Sequence, residues 1–461
     1  MEFLADPIFL SRFQMAFTLA FHILFPTLTI GLSLFLVVLH GLWLRTHDHA
    51  YMLLFRFWMK IFGLAFGVGV VSGIVLSFEF GTNFNGFSRV TGNVLAPLLS
   101  YEVLMAFFLE ASFLPILLFG WGKVGPRVHF FSTVMVAVGT VLSAFWILSA
   151  NSWMHTPVGF TLRDEIFFAN DWWTVVFNPS FPYRLAHMLN ASLLTVAFVV
   201  AGVAAWYLLR GRHIDLSRRT LSMAMWTALI VAPGQVLLGD LHGLNTLEHQ
   251  PVKIAAMEGL WETRGHAPFV VFGIPDSERE ENRYALEIPG ASSFILKHDP
   301  GAVVQGLSSV NPDERPPVGA VFWSFRVMLY AGFLLLALAL IGTFLRVRRR
   351  LYDSRWFLQL LVAASPLGFV AVIAGWFVTE IGRQPWVVQG LLRTIDSATP
   401  IPLSSVAGSV VMFLVVYHLL LGAFLFFLYR LVQRGPDERV PSEGIPGAPR
   451  TAWFPSAPKE G

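Results

Sequence analysis

The sequence predicts an all-α integral membrane protein with about nine transmembrane helices, the amino terminus outside and the carboxyl terminus cytoplasmic. Three observations lead there. Hydrophobic residues make up 55% of the 461 and charged residues only 13%, with a mean hydropathy of +0.63, which is too apolar for a soluble domain. The apolar residues gather into stretches of roughly 20, the length that crosses a bilayer core. Basic residues collect in alternate connections between those stretches, the asymmetry that orients spans in a membrane.

The spans fall near 13–43, 57–80, 95–121, 129–150, 185–209, 220–240, 319–345, 357–379 and 402–430. Lipid supplies no backbone partners, so segments of this length cross as helices. The first has neither a basic leader nor a small-residue cleavage site, so it reads as a retained span rather than a signal peptide. Arg45, Arg56 and Lys60 follow span one, Lys123 and Arg127 span three, Arg210, Arg212, Arg218 and Arg219 span five, and Arg346, Arg348, Arg349, Arg350 and Arg355 span seven. These four connections are therefore inside. The other connections hold fewer basic residues, such as Arg89, Arg163, Arg383 and Arg393. The glycines of GVGVVSG (67–73) lie within span two, where small residues allow close helix packing.

Two segments stand apart. Residues 241–318, between spans six and seven, are polar and punctuated by Pro and Gly, with a helix-like run from Lys253 to Trp261. A loop of that length is usually functional or disordered, and span parity puts it outside. Residues 435–461 are rich in Pro, Gly, Ser and charge and hold too little apolar material to fold alone, so a disordered cytoplasmic tail is expected. Residues 1–434 then form one transmembrane domain that includes the loop. The formal charge of +3 is small and its basic residues serve topology, which argues against nucleic acid as a partner. The absence of cysteine excludes thiolate-held iron–sulfur clusters, covalent haem attachment through C-x-x-C-H, and disulfides.

Ionisable residues at membrane depth are functional candidates by default. His22, Glu102, Glu110, His187 and Glu380 lie in or beside spans. At about 1.5 Å per residue, His22, His187, Met328 and Glu380 all fall near the outer ends of spans one, five, seven and eight. His with Met is an axial pair for a six-coordinate electron-transfer haem, whereas a high-spin haem needs one strong ligand and an open face. His187 with Met328 suits the first, and His22 and Glu380 suit five-coordinate iron. The alternative for each histidine is a hydrogen bond to a neighbouring helix, and for Met328 apolar filling. Arg326 and Arg383, beside Met328 and Glu380, suit either haem propionates or interfacial anchoring. Glu102 and Glu110 are separated on span three by about 12 Å along the axis and about 80° around it, so they face broadly one side. They read as a proton relay or as neutral carboxyls that join helices. Glu79, at the outer end of span two, is open between interface and haem environment.

The stretches SRFQMAFTLAFH (11–22), EFGTN (79–83), YEVLMAFFLEAS (101–112), KIAAMEGLW (253–261), FRVM (325–328) and TEIGRQPW (379–386) resemble subunit I of the cytochrome bd quinol oxidases, from span one to span nine. The resemblance implies that His187 and Met328 ligate a low-spin haem b, and that His22 and Glu380 ligate a high-spin haem b and a haem d. It further implies that Trp376 lies among the haems, that Glu102 and Glu110 carry protons, and that Lys253 and Glu258 belong to the quinol site. The short segment between Glu258 and Arg326 resembles the short-loop branch, and FHILFP (21–26) with HGLW (40–43) resembles a cyanide-insensitive branch in which a further haem b takes the place of haem d. A second multispan chain, subunit II, is implied, with room for a tiny single-span subunit, in the bacterial cell inner membrane.

The expected reaction oxidises two quinols at the outer side and reduces dioxygen to water with four electrons. Quinol protons leave outside and the consumed protons enter from the cytoplasm through Glu110 and then Glu102, which charges the membrane without pumping. A haem–copper oxidase is disfavoured because the few intramembrane histidines do not cluster, His40 and His418 falling nearer the inner halves of spans one and nine. Two other classes are an ion-coupled transporter using Glu102, Glu110 and Glu380, against which the lack of repeated halves counts, and a membrane cytochrome b without oxygen chemistry.

Overall fold

The computed structural model describes residues 6–438. Among these, nine helical segments are long and apolar enough to cross a membrane. They begin with α1 (Pro7–Thr46) and α2 (His49–Thr82), each opened by an aspartate, Asp6 and Asp48, whose carboxylate caps the first turn. The third span comprises α3 (Asn85–Tyr101), a π-helical stretch over Glu102–Phe107, and α4 (Phe108–Phe119). Next come α5 (Pro126–His155), a hairpin of β1 (Phe160–Arg163) and β2 (Ile166–Ala169), the short α6 (Trp172–Val176), α7 (Phe181–Leu209) and α8 (Ile214–His249).

The loop that follows is ordered. It holds α9 (Pro251–Glu258), a hairpin of β3 (Phe269–Asp276) and β4 (Glu281–Ile288), and α10 (Ala291–Lys297). The chain then recrosses as α11 (Val318–Val347) and as α12 (Arg355–Ala364) with α13 (Leu367–Ile381). A hairpin of β5 (Trp386–Val388) and β6 (Leu392–Arg393) and a turn of helix, α14 (Thr394–Ser397), lead into the last span, α15 (Leu403–Arg434).

Four expectations change. The sixth span continues to His249, so the loop starts at Gln250 and not at 241. Its helical run spans Pro251–Glu258 and stops before Trp261 because Gly259 takes φ 67°, the left-handed turn that ends a helix. The third span starts ten residues before 95, as its polar first turns bury only Phe87, Thr91 and Val94 on one stripe and hydropathy alone misses them. The eighth span is broken at Ser365–Pro366, where proline cannot donate to the helical ladder. The expected tail lies, from residue 439 on, outside the described residues.

Helix α7 stands at the centre, packed against α1, α5, α8, α12 and α13. Two close approaches set it there. A Cβ on Gly31 of α1 would come within 2.7 Å of the Ser192 carbonyl oxygen, and one on Gly368 of α13 within 2.7 Å of the Thr195 Cα. Small residues thus let backbones meet where lipid offers no hydrophobic drive between helices. The main core, with Leu32, Phe62, Phe198 and Phe357 fully buried, fills the space among α1, α2, α7, α8 and α12.

Candidate haem and quinol centre

On α1, His22 presents Nδ1 to the Ser72 hydroxyl of α2 at 2.9 Å. That hydroxyl already donates to the carbonyls of Val68 and Gly69 at 3.0 Å, so the ring donates from Nδ1. Nε2 then keeps its lone pair, the state in which imidazole binds a metal. One and two turns toward the amino terminus, Thr18 and Gln14 donate to the buried Glu79 carboxylate at 2.9 and 3.2 Å. Glu79 therefore braces α1 against α2 directly beside His22.

On α7, Nε2 of His187 lies 3.1 Å from the Gln235 amide nitrogen of α8, and the His242 ring is 5.4 Å away. An amide nitrogen only donates, so Nε2 accepts; Nδ1 is buried without a partner. Met328 lies on α11, and α13 packs on both α7 and α11. Each of these three residues faces a glycine. A Cβ would fall 3.0 Å from His22 Cε1 at Gly73, 3.5 Å from His187 Cε1 at Gly239 and 2.8 Å from Met328 Sδ at Gly375.

The fourth candidate, Glu380, ends α13 inside a polar cluster. It accepts from Asn151 at 2.9 Å and from Arg383, and His155 Nε2 lies 3.7 Å away. Arg184 of α7 donates to the side-chain Oδ1 of Asn151 and is buried. Lys253 of α9 completes the cluster, donating to Gln250 at 2.7 Å and to His155 Nδ1 at 3.1 Å. Burial, reinforced by the Arg184 and Arg383 charges, holds the Lys253 ammonium well below its ordinary range. Nε and Nη1 of Arg383 and Nε1 of Trp376 are buried without partners.

The other end of α9 belongs to a second cluster. Glu258 accepts from Ser292 of α10 at 2.8 Å and lies 3.6 Å from Arg326 of α11. Burial pushes the Glu258 carboxyl above its ordinary range, opposed by Arg326 and by the Ser292 hydrogen bond. Arg326 is fully buried and also donates to the carbonyls of Met257 and Val270 at 2.7 and 2.6 Å. Its guanidinium is thus turned toward the loop. Lys253 and Glu258 are five residues apart on one short helix and face different clusters.

Glu102 and Glu110 both face α5. Glu102 accepts from Ser143 at 2.7 Å, while a Cβ on Gly139, one turn away, would come 2.4 Å from Glu110 Cγ. The predicted 80° offset assumed regular α-helix. Between the two lies the π-helical stretch, where i→i+5 bonds use more residues per turn and each residue rotates less, so the carboxylates come closer to one face. His40, by contrast, is tied to Thr133 at 2.9 Å and packs on Trp121 and His129, and His418 Nδ1 to its own helix at Leu414.

Sequence reasoning did not single out His155, Arg184, Asn151, Ser143, Gly239 or Gly375, and read Gly73 only within GVGVVSG, as a small residue for close helix packing. Arg184 carried a usable signal, a charge one turn before His187 at the start of a span. The others are ordinary residues given meaning by partners distant in the chain. Among the described residues, no three His, Asp or Glu side chains gather into a cage for a bare ion. Iron held by these residues therefore needs ligands from a macrocycle, and haem fits: an imidazole with Nε2 free, a thioether and a carboxylate are present. Glycines leave clearance beside three of the candidates, and the unpartnered donors of Arg383 suit propionates.

The chain matches the family described as cytochrome bd terminal oxidase subunit I over residues 10–436. It is similar to cytochrome bd ubiquinol oxidase subunit 1 of Bacillus subtilis (strain 168), 36% identical over 440 residues that cover 93% of this chain and 94% of that protein. Cytochrome bd-II ubiquinol oxidase subunit 1 of Escherichia coli (strain K12) is 32% identical over 503 residues, covering 94% and 97%. The structure of bd oxidase from Geobacillus thermodenitrificans superposes with a TM-score of 0.88 at 36% identity, covering 94% of this chain and 99% of that one. A multi-pass chain with this fold and these matches is a protein of the bacterial inner membrane, and it belongs to the cytochrome bd terminal oxidase subunit I family.

Proposed function

We propose that this chain, assembled with subunit II, oxidises quinol at its long loop and reduces dioxygen to water, with the loop and amino terminus outside and protons for dioxygen drawn from the cytoplasm. The basic connections after spans one, three, five and seven support that sidedness. His187 and Met328 would hold a low-spin haem b, and His22 and Glu380 a high-spin haem b and either haem d or a further haem b. Bound haem would supply one-electron transfer from quinol and the iron at which dioxygen is reduced.

The observation that carries the reading is the double attachment of α9. Lys253 reaches into the Glu380 cluster while Glu258 anchors in the loop, so one short rigid helix joins the two polar clusters. A quinol head group carries hydroxyls at both ends of its ring, which suits acceptors and donors set apart in this way. Glu258, with its proton affinity raised by burial, takes a quinol proton. Lys253 orients the other hydroxyl through its ammonium or, given its depressed affinity, as a neutral amine. On the far side, Glu110 and Glu102 hand protons along α5 toward the outer level, with Ser143 holding the second carboxylate in place. Trp376 and Arg383 bind and orient at the centre.

Lys253→Ala or Glu258→Ala is expected to lower quinol turnover by about 10²-fold, the scale of one acid–base group, while oxygen consumption with an artificial reductant stays near wild type. Equal losses in both assays would move these residues out of the quinol site.

A further inference from the structure

The β3–β4 hairpin of the loop has an apolar end that nothing among the described residues covers. Phe272, Ile274, Leu286 and Ile288 are 46–62% exposed, and Phe294 of α10 is 57% exposed. In a water-filled loop, such a run would be an aggregation hazard and would need a partner. Three features of the hairpin's position identify that partner.

The first is depth. Val270 receives the Arg326 guanidinium and Val271 the Tyr330 hydroxyl, so the base of the hairpin is bound to the third and fourth turns of α11. Helix α11 has 30 residues, about 45 Å at 1.5 Å per residue, against a hydrocarbon core of about 30 Å. Centring leaves about 7 Å beyond the core at each end. Arg326 lies eight residues from Val318, about 12 Å in, so the hairpin base sits below the hydrocarbon boundary.

The second is continuity. Phe272 meets the Trp323 ring edge-on at 5.3 Å. Trp323, Val327, Tyr330 and Leu334 share one face of α11, by their 3–4-residue spacing; the last three are exposed, as expected for a lipid-facing stripe with aromatic residues at the interface. The apolar end of the hairpin extends that stripe sideways.

The third is the direction of the polarity gradient. The tip, Asp276–Glu281, is charged, and Glu280 pairs with Arg315 at 2.7 Å, just ahead of the α11 start. The charged tip therefore lies at the helix end, in the headgroup zone or beyond, and the apolar base lies deeper. Strand alternation turns Glu287 away from Leu286 and Ile288.

We infer that the hairpin is a membrane-embedded element: its apolar face lies in the lipid of the adjacent leaflet, beside α11, with its charged tip at the headgroups. The occupant of the exposed face is acyl chain, and the loop is a lipid-contacting paddle rather than a water-exposed flap. This holds independently of the residues assigned to the quinol.

The absence of cysteine in the chain permits a direct test. Leu286→Cys and Glu278→Cys would each be spin-labelled in the assembled complex in nanodiscs, without reductant, and relaxation by dissolved oxygen, which concentrates in hydrocarbon, compared with that by a water-soluble nickel chelate. The Leu286→Cys label is expected to favour oxygen several-fold over the chelate, and the Glu278→Cys label the reverse. Ile288→Cys repeats the reading should Leu286→Cys fail to assemble. A Leu286→Cys label as open to the chelate as that at Glu278→Cys would place the face in water. A label shielded from both agents would mean that protein, such as the second subunit, covers it. Either result overturns the inference.

Discussion

At the scale of single residues, one informative position is a side chain that is missing. Gly139 has no Cβ because Glu110 fills its place, 2.4 Å from where that atom would be. Gly139→Ala is therefore expected to displace Glu110 and slow oxygen consumption toward the level of Glu110→Gln, about 10²-fold if the carboxyl is a required proton carrier. Haem content, read from the spectrum, should stay unchanged in both. Full turnover in Gly139→Ala with an intact spectrum would count against Glu110 on the proton route. Glu258 supports a prediction about pH. Its carboxyl is raised by burial and held back by the Ser292 hydroxyl, which bonds the charged form. Only the carboxylate accepts a quinol proton, so activity falls as pH drops through that group. Ser292→Ala removes a bond to the charged form, raises the carboxyl further, and moves the acid limb of kcat/KM for quinol to higher pH. An unmoved limb, or one shifted to lower pH, would assign that limb to another group.

At the scale of elements, the π-helical stretch Glu102–Phe107 is the feature with a testable register. Such stretches act as single-turn insertions in α-helices, and this one keeps Glu102 on Ser143 while Glu110 meets Gly139. Inserting one alanine after Leu104, which the single π-helical turn cannot also absorb, is expected to rotate Glu102 by about 100° relative to Glu110, breaking the Ser143 bond and slowing proton uptake. Insertion with normal turnover would mean the register is immaterial. The spans were legible in the sequence because twenty apolar residues have few other fates. Their ends were less so. Asn85–Val94 and Asp240–His249 are helical yet polar, stabilised by burial on one stripe and by neighbouring helices, which hydropathy does not register. The loop hairpin β3–β4 was not foreseen, since its two bulged strands lack clean alternation.

At the scale of the molecule, α7 and α13 gather groups from the whole length of the chain. Asn151, Arg184, Lys253, Glu380 and Arg383 meet in one cluster although they belong to four different helices and the turn beyond α13. Sequence reasoning reached Lys253, Glu380 and Arg383, which stand in distinctive motifs. It did not reach Asn151 or His155, since nothing local to a polar residue at a span end tells which distant helix will meet it. The candidates His22, His187 and Met328 were picked out by their shared depth and by the family resemblance, since an imidazole or a thioether in a span has bland uses of its own. The glycine opposite each of the three is a tertiary fact.

The central claim is that side chains of this subunit hold haem, with His187 and Met328 on the low-spin group. Reduced-minus-oxidised and carbon monoxide difference spectra of the assembled complex, wild type beside Met328→Leu, test it most directly. Wild type should display low-spin and carbon monoxide-reactive haem bands together, and Met328→Leu should lose the low-spin signal and quinol oxidation while the carbon monoxide-reactive band remains. A colourless wild-type complex would contradict the claim altogether, and an unchanged low-spin band in Met328→Leu would remove Met328 from the ligand set.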